Sequence, residues 1–246
     1  MSTLRNTRPA RPGRASAVSA PLVLALLVTA VAARANVLDD YGDLEQRATS
    51  SGSLANRRIM VIGDSIQAGT GLRHADSQAS WRLQRSAGLV VHNFASPGAT
   101  MADTFFPGMT HATSAVDLLS GFFGLYGVII NLGANDWHQP LITIALFSSA
   151  YGAFLDSIPP GIRVACMSPT WSTSEGILNT HGATKDDFRA ATRAVCAARG
   201  AAYLEGKDAI PNDPAYFVDG LHPNDRGHKA MAAFLLRQLR ALGWIT

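Results

Sequence analysis

The stretch Ile59-Met60-Val61-Ile62-Gly63-Asp64-Ser65-Ile66-Gln67-Ala68-Gly69-Thr70-Gly71 decides how the chain is read. A β-branched, apolar run without alternation stops at Gly-Asp-Ser, and small residues follow. A short run with no polar face fits a strand buried on both sides, as in a parallel sheet covered by helices. The same pattern recurs in Leu89–Ala95 (LVVHNFA), Tyr126–Gly133 (YGVIINLG), Ile162–Pro169 (IRVACMSP) and, more briefly, Ala201–Gly206 (AAYLEG).

Helical spacing fills the gaps between these runs. Segments 80–88, 114–124, 140–158, 185–200 and 224–243 carry it; the third is closed by Pro159-Pro160, the fourth by Gly200, and the last opens on a capping Asn224. Strand alternating with helix predicts an α/β fold in three layers, with a parallel sheet between helices. In such sheets ligands collect outside the carboxyl ends of the strands. The residues just after each strand are therefore the ones to inspect.

After the first strand stands Ser65, where a hydroxyl at the sheet edge reads either as a helix N-cap or as a nucleophile. After the second, Gly98 reads as a turn glycine or as a backbone N–H open to a ligand. After the third, Asn135 reads as a turn residue or as an amide aimed at a developing oxyanion. Near the C-terminus Asp219 and His222 lie three residues apart in a Gly- and Pro-containing loop. A carboxylate so placed can hold the imidazole Nδ1 proton and leave Nε2 to act as a base.

No one of these motifs chooses for itself. Together they supply a nucleophile, a base, an orienter and three oxyanion donors, namely the N–H groups of Ser65 and Gly98 and the amide of Asn135. Asp64 and Asp136 flank the serine and the amide. They are expected to accept loop N–H bonds rather than to transfer protons, since His222 already has a side chain suited to that work.

The order Ser, Gly, Asn, His, within G-D-S, G-x-N-D and D-x-x-H, resembles the SGNH (GDSL) hydrolase family over Arg58 to Thr246. Gly98 follows Asn93 by five residues, as is usual in that family. The resemblance implies a flavodoxin-like α/β/α sandwich of about five parallel strands and no cofactor. It implies Ser65 as nucleophile, His222 as base and then acid, Asp219 as orienter, and Ser65, Gly98 and Asn135 as the oxyanion hole. Trp137, Trp171 and Phe105, with Phe106 beside it, are candidates for the pocket wall, with plain packing as the alternative.

Composition sets the wider frame. The chain has 246 residues, 47% hydrophobic and 16% charged, which suits a globular protein with a sizeable core and argues against disorder. Arg5, Arg8, Arg11 and Arg14 precede an apolar run over 16–33, and Ala33-Arg34-Ala35 offers a cleavage site. Residues 1–35 are read as a signal peptide and 36–57 as a tether, with 58–246 as the hydrolase domain. The apolar run falls short of the ~20 residues of a comfortable span, though an uncleaved anchor is the alternative.

Those 35 residues hold five arginines and no acid, which takes the formal charge from +3 to −2 for the rest. No basic stripe remains for nucleic acid. The expectation is an exported, monomeric enzyme, free of the membrane once the signal is cleaved. Its substrate would be a small-molecule, glycan or lipid ester of short-to-medium acyl or O-acetyl type. A lysophospholipase or thioesterase, an O-acyltransferase on envelope carbohydrate and a non-catalytic binding module are the other readings. Cys166 and Cys196 suit one disulfide or two buried thiols, and neither they nor the histidines have metal spacing.

Overall fold

A computed structural model describes residues 57–102 and 124–245, all within one compact unit. The signal peptide, nearly all of the tether and of the helical pattern at 114–124, and Phe105 and Phe106 lie outside the described residues.

Five strands form one sheet: β1 (Arg58–Gly63), β2 (Val90–Asn93), β3 (Leu125–Asn131), β4 (Arg163–Met167) and β5 (Ala202–Leu204). Their order is β2-β1-β3-β4-β5, and every pairing is parallel. This is the flavodoxin-like arrangement expected from sequence, with its switch point between β1 and β3. Gly63 pairs with Asn131 and Asn131 with Met167, so three strands end level with one another. The loops that follow them open onto one edge.

The continuous apolar strands bury both faces. Met60, Ile62, Val128, Ile130 and Cys166 point to one core with Phe147, Tyr151 and Phe188, from α4 (Ile144–Ser157) and α5 (Lys185–Ala197). Ile59, Val61, Ile129 and Met167 point to the other with Leu83 of α2 (Ala79–Ala87) and Met231, Phe234 and Leu235 of α6 (Asp225–Ala241). Each large side chain so buried contributes about 1.5–3 kcal/mol.

Caps set the helix starts. Thr143 accepts the Leu146 N–H, so α4 begins at Ile144, later than the apolar pattern from Pro140 suggests. Thr184 and Asp187 form a reciprocal capping box on α5. The N-terminus of α2 is served from α6: the Ala79 N–H donates to Nδ1 of buried His228 at 3.2 Å. Burial pushes that imidazole down to about 4, which keeps it neutral and able to accept.

Cys166 and Cys196 are joined, tying β4 to α5 inside the first core. Closing a loop with a sequence separation of 30 restricts the unfolded chain. The chain-entropy relation puts that at about 3–4 kcal/mol. Among the described residues no helix is long and apolar enough to cross a membrane, and no cluster of His, Cys, Asp and Glu could hold a metal ion.

Candidate active site

Ser65 opens α1 (Ser65–Ala68), a single turn directly after β1 that ends at Gly69. Asp64 caps the turn, accepting the Ile66 N–H at 2.9 Å, so Ser65 is not itself the N-cap. A first-turn N–H has no partner within its helix, and Ser65 is the first residue of this turn.

Behind the serine runs a buried amide chain. Gln67 Nε2 donates to Asn131 Oδ1 at 2.9 Å, and Asn131 Nδ2 donates to the carbonyls of Met167 and Ser168. Asn93 Nδ2 donates to the Gln67 carbonyl at 2.9 Å and to Ser80 Oγ at 3.1 Å. These bonds fasten the turn that carries Ser65 to β2, β3 and β4. Nothing in the sequence around Gln67 announces this role, because its partners lie 64 and 26 residues away.

The Asp219–His222 loop reaches the serine from the other end of the chain. Asp219 Oδ1 accepts the N–H groups of Leu221 and His222, and Oδ2 accepts the ring Nδ1–H of His222 at 2.6 Å. Burial opposes the Asp219 charge, but the hydrogen bonds from the ring and backbone of His222 and from Leu221 prevail and hold the carboxyl down to about 2. With Nδ1 protonated, Nε2 accepts the Ser65 hydroxyl at 3.0 Å. The loop is pinned by Val218 N–H to the His222 carbonyl, by the Phe217–Pro223 bridge, and by Thr173 N–H to the Gly220 carbonyl.

Gly133 turns the chain from β3 into α3 (Ala134–His138) at φ +117°, a conformation that favours glycine. One Asn135 Nδ2–H donates to the Ala99 carbonyl at 2.9 Å, leaving the second for another acceptor. Gly98 has φ +79°, and a Cβ there would meet nothing within 4 Å, so the space beside its Cα is open. Asp136 fixes the same loop from below, accepting the N–H groups of Met101 and Ala102 at 2.8–3.0 Å.

Both flanking acids therefore accept loop N–H bonds, as expected from sequence. Burial pushes Asp64 up to about 6 and Asp136 up to about 7. Backbone N–H groups offset part of the rise in each, and the charge of Asp64 adds to that of Asp136.

A hydroxyl, an imidazole and a carboxylate in hydrogen-bonding sequence, beside loops able to present N–H donors, suit acyl transfer through a covalent intermediate. The sequence matches the GDSL-like lipase/acylhydrolase family over residues 61–230, more than half of the chain. The chain belongs to this family of ester hydrolases.

Solved structures of similar fold include the M. smegmatis aryl esterase, at 19% identity and TM-score 0.64, covering 76% of this chain and 99% of that one. A carbohydrate acetylesterase family member from Sinorhizobium meliloti is 15% identical with TM-score 0.62, covering 76% and 98%. A salicylyl-acyltransferase from a tetracycline biosynthetic pathway is 18% identical with TM-score 0.65, covering 79% and 56%. No curated protein matches the chain.

The wall residues read from sequence fare differently in this GDSL-like site. Trp137 is 7% exposed and belongs to the first core; its indole N–H donates to the Ala183 carbonyl at 3.1 Å. Packing, not contact with substrate, is what its surroundings show. Trp171 is half-buried against Phe217, 5.3 Å between ring centres, beside the Asp219–His222 loop.

Proposed function

We propose that this GDSL-like hydrolase is an exported serine esterase acting on short-to-medium acyl or O-acetyl esters through an acyl-enzyme. The observation that carries the reading is the relay Ser65 Oγ to His222 Nε2 at 3.0 Å and His222 Nδ1 to Asp219 at 2.6 Å.

The Ser65 oxygen attacks the ester carbonyl while its proton passes to His222 Nε2, and Asp219 steadies the resulting imidazolium. The tetrahedral oxygen takes its bonds from the Ser65 and Gly98 N–H groups and the second Asn135 amide hydrogen. His222 returns the proton to the departing alcohol. It then draws one from water as that water attacks the acyl carbon, and passes it to the Ser65 oxygen as the bond between that oxygen and the acyl carbon breaks and the acid leaves. A carboxyl held near 2 keeps Asp219 ionised through the working pH range.

The side chain of His222 is 19% exposed and that of Asp219 52% exposed, which favours an open cleft over a deep acyl tunnel. The esterases of similar fold named above for aryl and acetyl esters point the same way. A p-nitrophenyl ester series from acetate to palmitate tests this. We expect kcat/KM to be highest among the short chains and to fall with length. A rise towards palmitate overturns the short-acyl reading in favour of a lysophospholipase- or thioesterase-like enzyme. Adding an acceptor alcohol reports on acyl transfer, which competes with water if the enzyme is a transferase.

Export rests on the arginine-led apolar run and on Ala33-Arg34-Ala35, and a disulfide suits an oxidising compartment. The mass of the enzyme recovered outside the cytoplasm is expected to match a chain beginning at Asn36. An intact N-terminus in a membrane fraction contradicts it.

A further inference from the structure

Lys185 is a buried cation that the reaction above does not use. It is 2% exposed and is the first residue of α5. Its Nζ donates to Ser172 Oγ and, at 3.2 Å, to Ser174 Oγ, and it stands 4.7 Å from the centre of the Trp137 ring. Three ammonium protons thus meet two hydroxyl oxygens and one aromatic face, a complete shell for the charge.

For stability alone this is a poor place for a lysine. Burying an ammonium costs several kcal/mol before its partners repay it, and the N-terminal end of a helix disfavours positive charge. An apolar chain of the same length avoids both costs.

The partners show what the charge connects. Trp137 lies two residues after Asn135 on α3, and its indole N–H is bonded to Ala183, just before α5. Ser172 and Ser174 flank Thr173, whose N–H holds the Gly220 carbonyl of the Asp219–His222 loop at 2.9 Å. We infer that Lys185 is a positioning residue, whose ammonium clamps the helix carrying Asn135 to the loop that supports His222 and so sets the oxyanion amide against the imidazole. The inference rests on the esterase reading of Ser65 and His222.

The charged groups around the ammonium come from three sides. Glu175, on the loop after β4, favours the charge and also accepts the Ser172 N–H at 3.1 Å; Arg189, on α5, opposes it; Asp64, before α1, favours it. Burial is the largest influence and brings Lys185 down to about 8. The clamp is therefore charged at neutral pH and discharges as pH rises through about 8.

Lys185→Met keeps the chain length and removes the charge. We expect kcat to fall about tenfold or more with KM little changed and the melting temperature to hold or rise; turnover of the natural enzyme is expected to decline as pH rises through about 8, and that decline to be missing in the variant. Indole fluorescence gives a readout independent of hydrolysis: the natural protein is expected to show a transition near pH 8 that is missing in Lys185→Met and in Trp137→Phe. A kcat within twofold of the natural enzyme, or a loss that only follows a lowered melting temperature, overturns the inference. Run beside Ser65→Ala, the failures separate. Full activity in Lys185→Met with loss in Ser65→Ala overturns the clamp alone. Full activity in Ser65→Ala overturns the site reading and the clamp with it.

Discussion

Replacing Ser65 with alanine is expected to lower ester turnover by about 10⁴- to 10⁶-fold, because members of a nucleophile–base pair act as a unit and the loss of one removes the covalent route. Folding should be unaffected. The Ser65 hydroxyl caps no helix, the N-cap bond comes from Asp64, and the backbone N–H stays in place. Steady-state kinetics with a short p-nitrophenyl ester, alongside a thermal melt, checks both halves. Retention of more than about a hundredth of the natural kcat, beyond the reach of contaminating esterase, contradicts the assignment.

Asn135→Ala is expected to cost about 10²–10³ in kcat, the usual effect of removing one oxyanion donor, with KM nearly constant. The structure adds a comparison that separates the amide's chemistry from its support. Asn135 gives one hydrogen bond to Ala99, whereas Asp136 accepts two buried N–H groups from Met101 and Ala102. A buried donor left without a partner costs about 1–3 kcal/mol. Asp136→Ala should therefore lose both turnover and melting temperature, by disturbing the loop that carries Gly98. Asn135→Ala should lose chiefly turnover. If the two variants behave alike in both measurements, Asn135 is no more than a brace.

The strands and the order of layers were open to reading because buried parallel strands leave a plain mark, a β-branched run that ends at glycine or a polar residue. Arg58–Gly63 and Leu125–Asn131 show it well. The residues of the site were legible for a related reason. The strands end level, so residues just after them meet by topology, and Ser65 and Asn135 need no long-range information to be placed at one edge.

What escaped depends on tertiary convergence. Gln67, Asn131 and Lys185 carry no local signature, and each takes its role from partners on other elements. Trp137 was ambiguous because an aromatic residue beside a motif can face cleft or core. The core won there, since the indole finds both a carbonyl at Ala183 and a cation at Lys185. The union of Cys166 and Cys196 needed the distance between β4 and α5, which no spacing supplies.

Mass spectrometry after reaction with a fluorophosphonate probe tests whether Ser65 is driven to attack by His222 and Asp219. The account predicts a single covalent adduct on the peptide containing Ser65, absent in Ser65→Ala and formed far more slowly in His222→Ala. No adduct on the folded natural enzyme, or one that persists in Ser65→Ala, contradicts it.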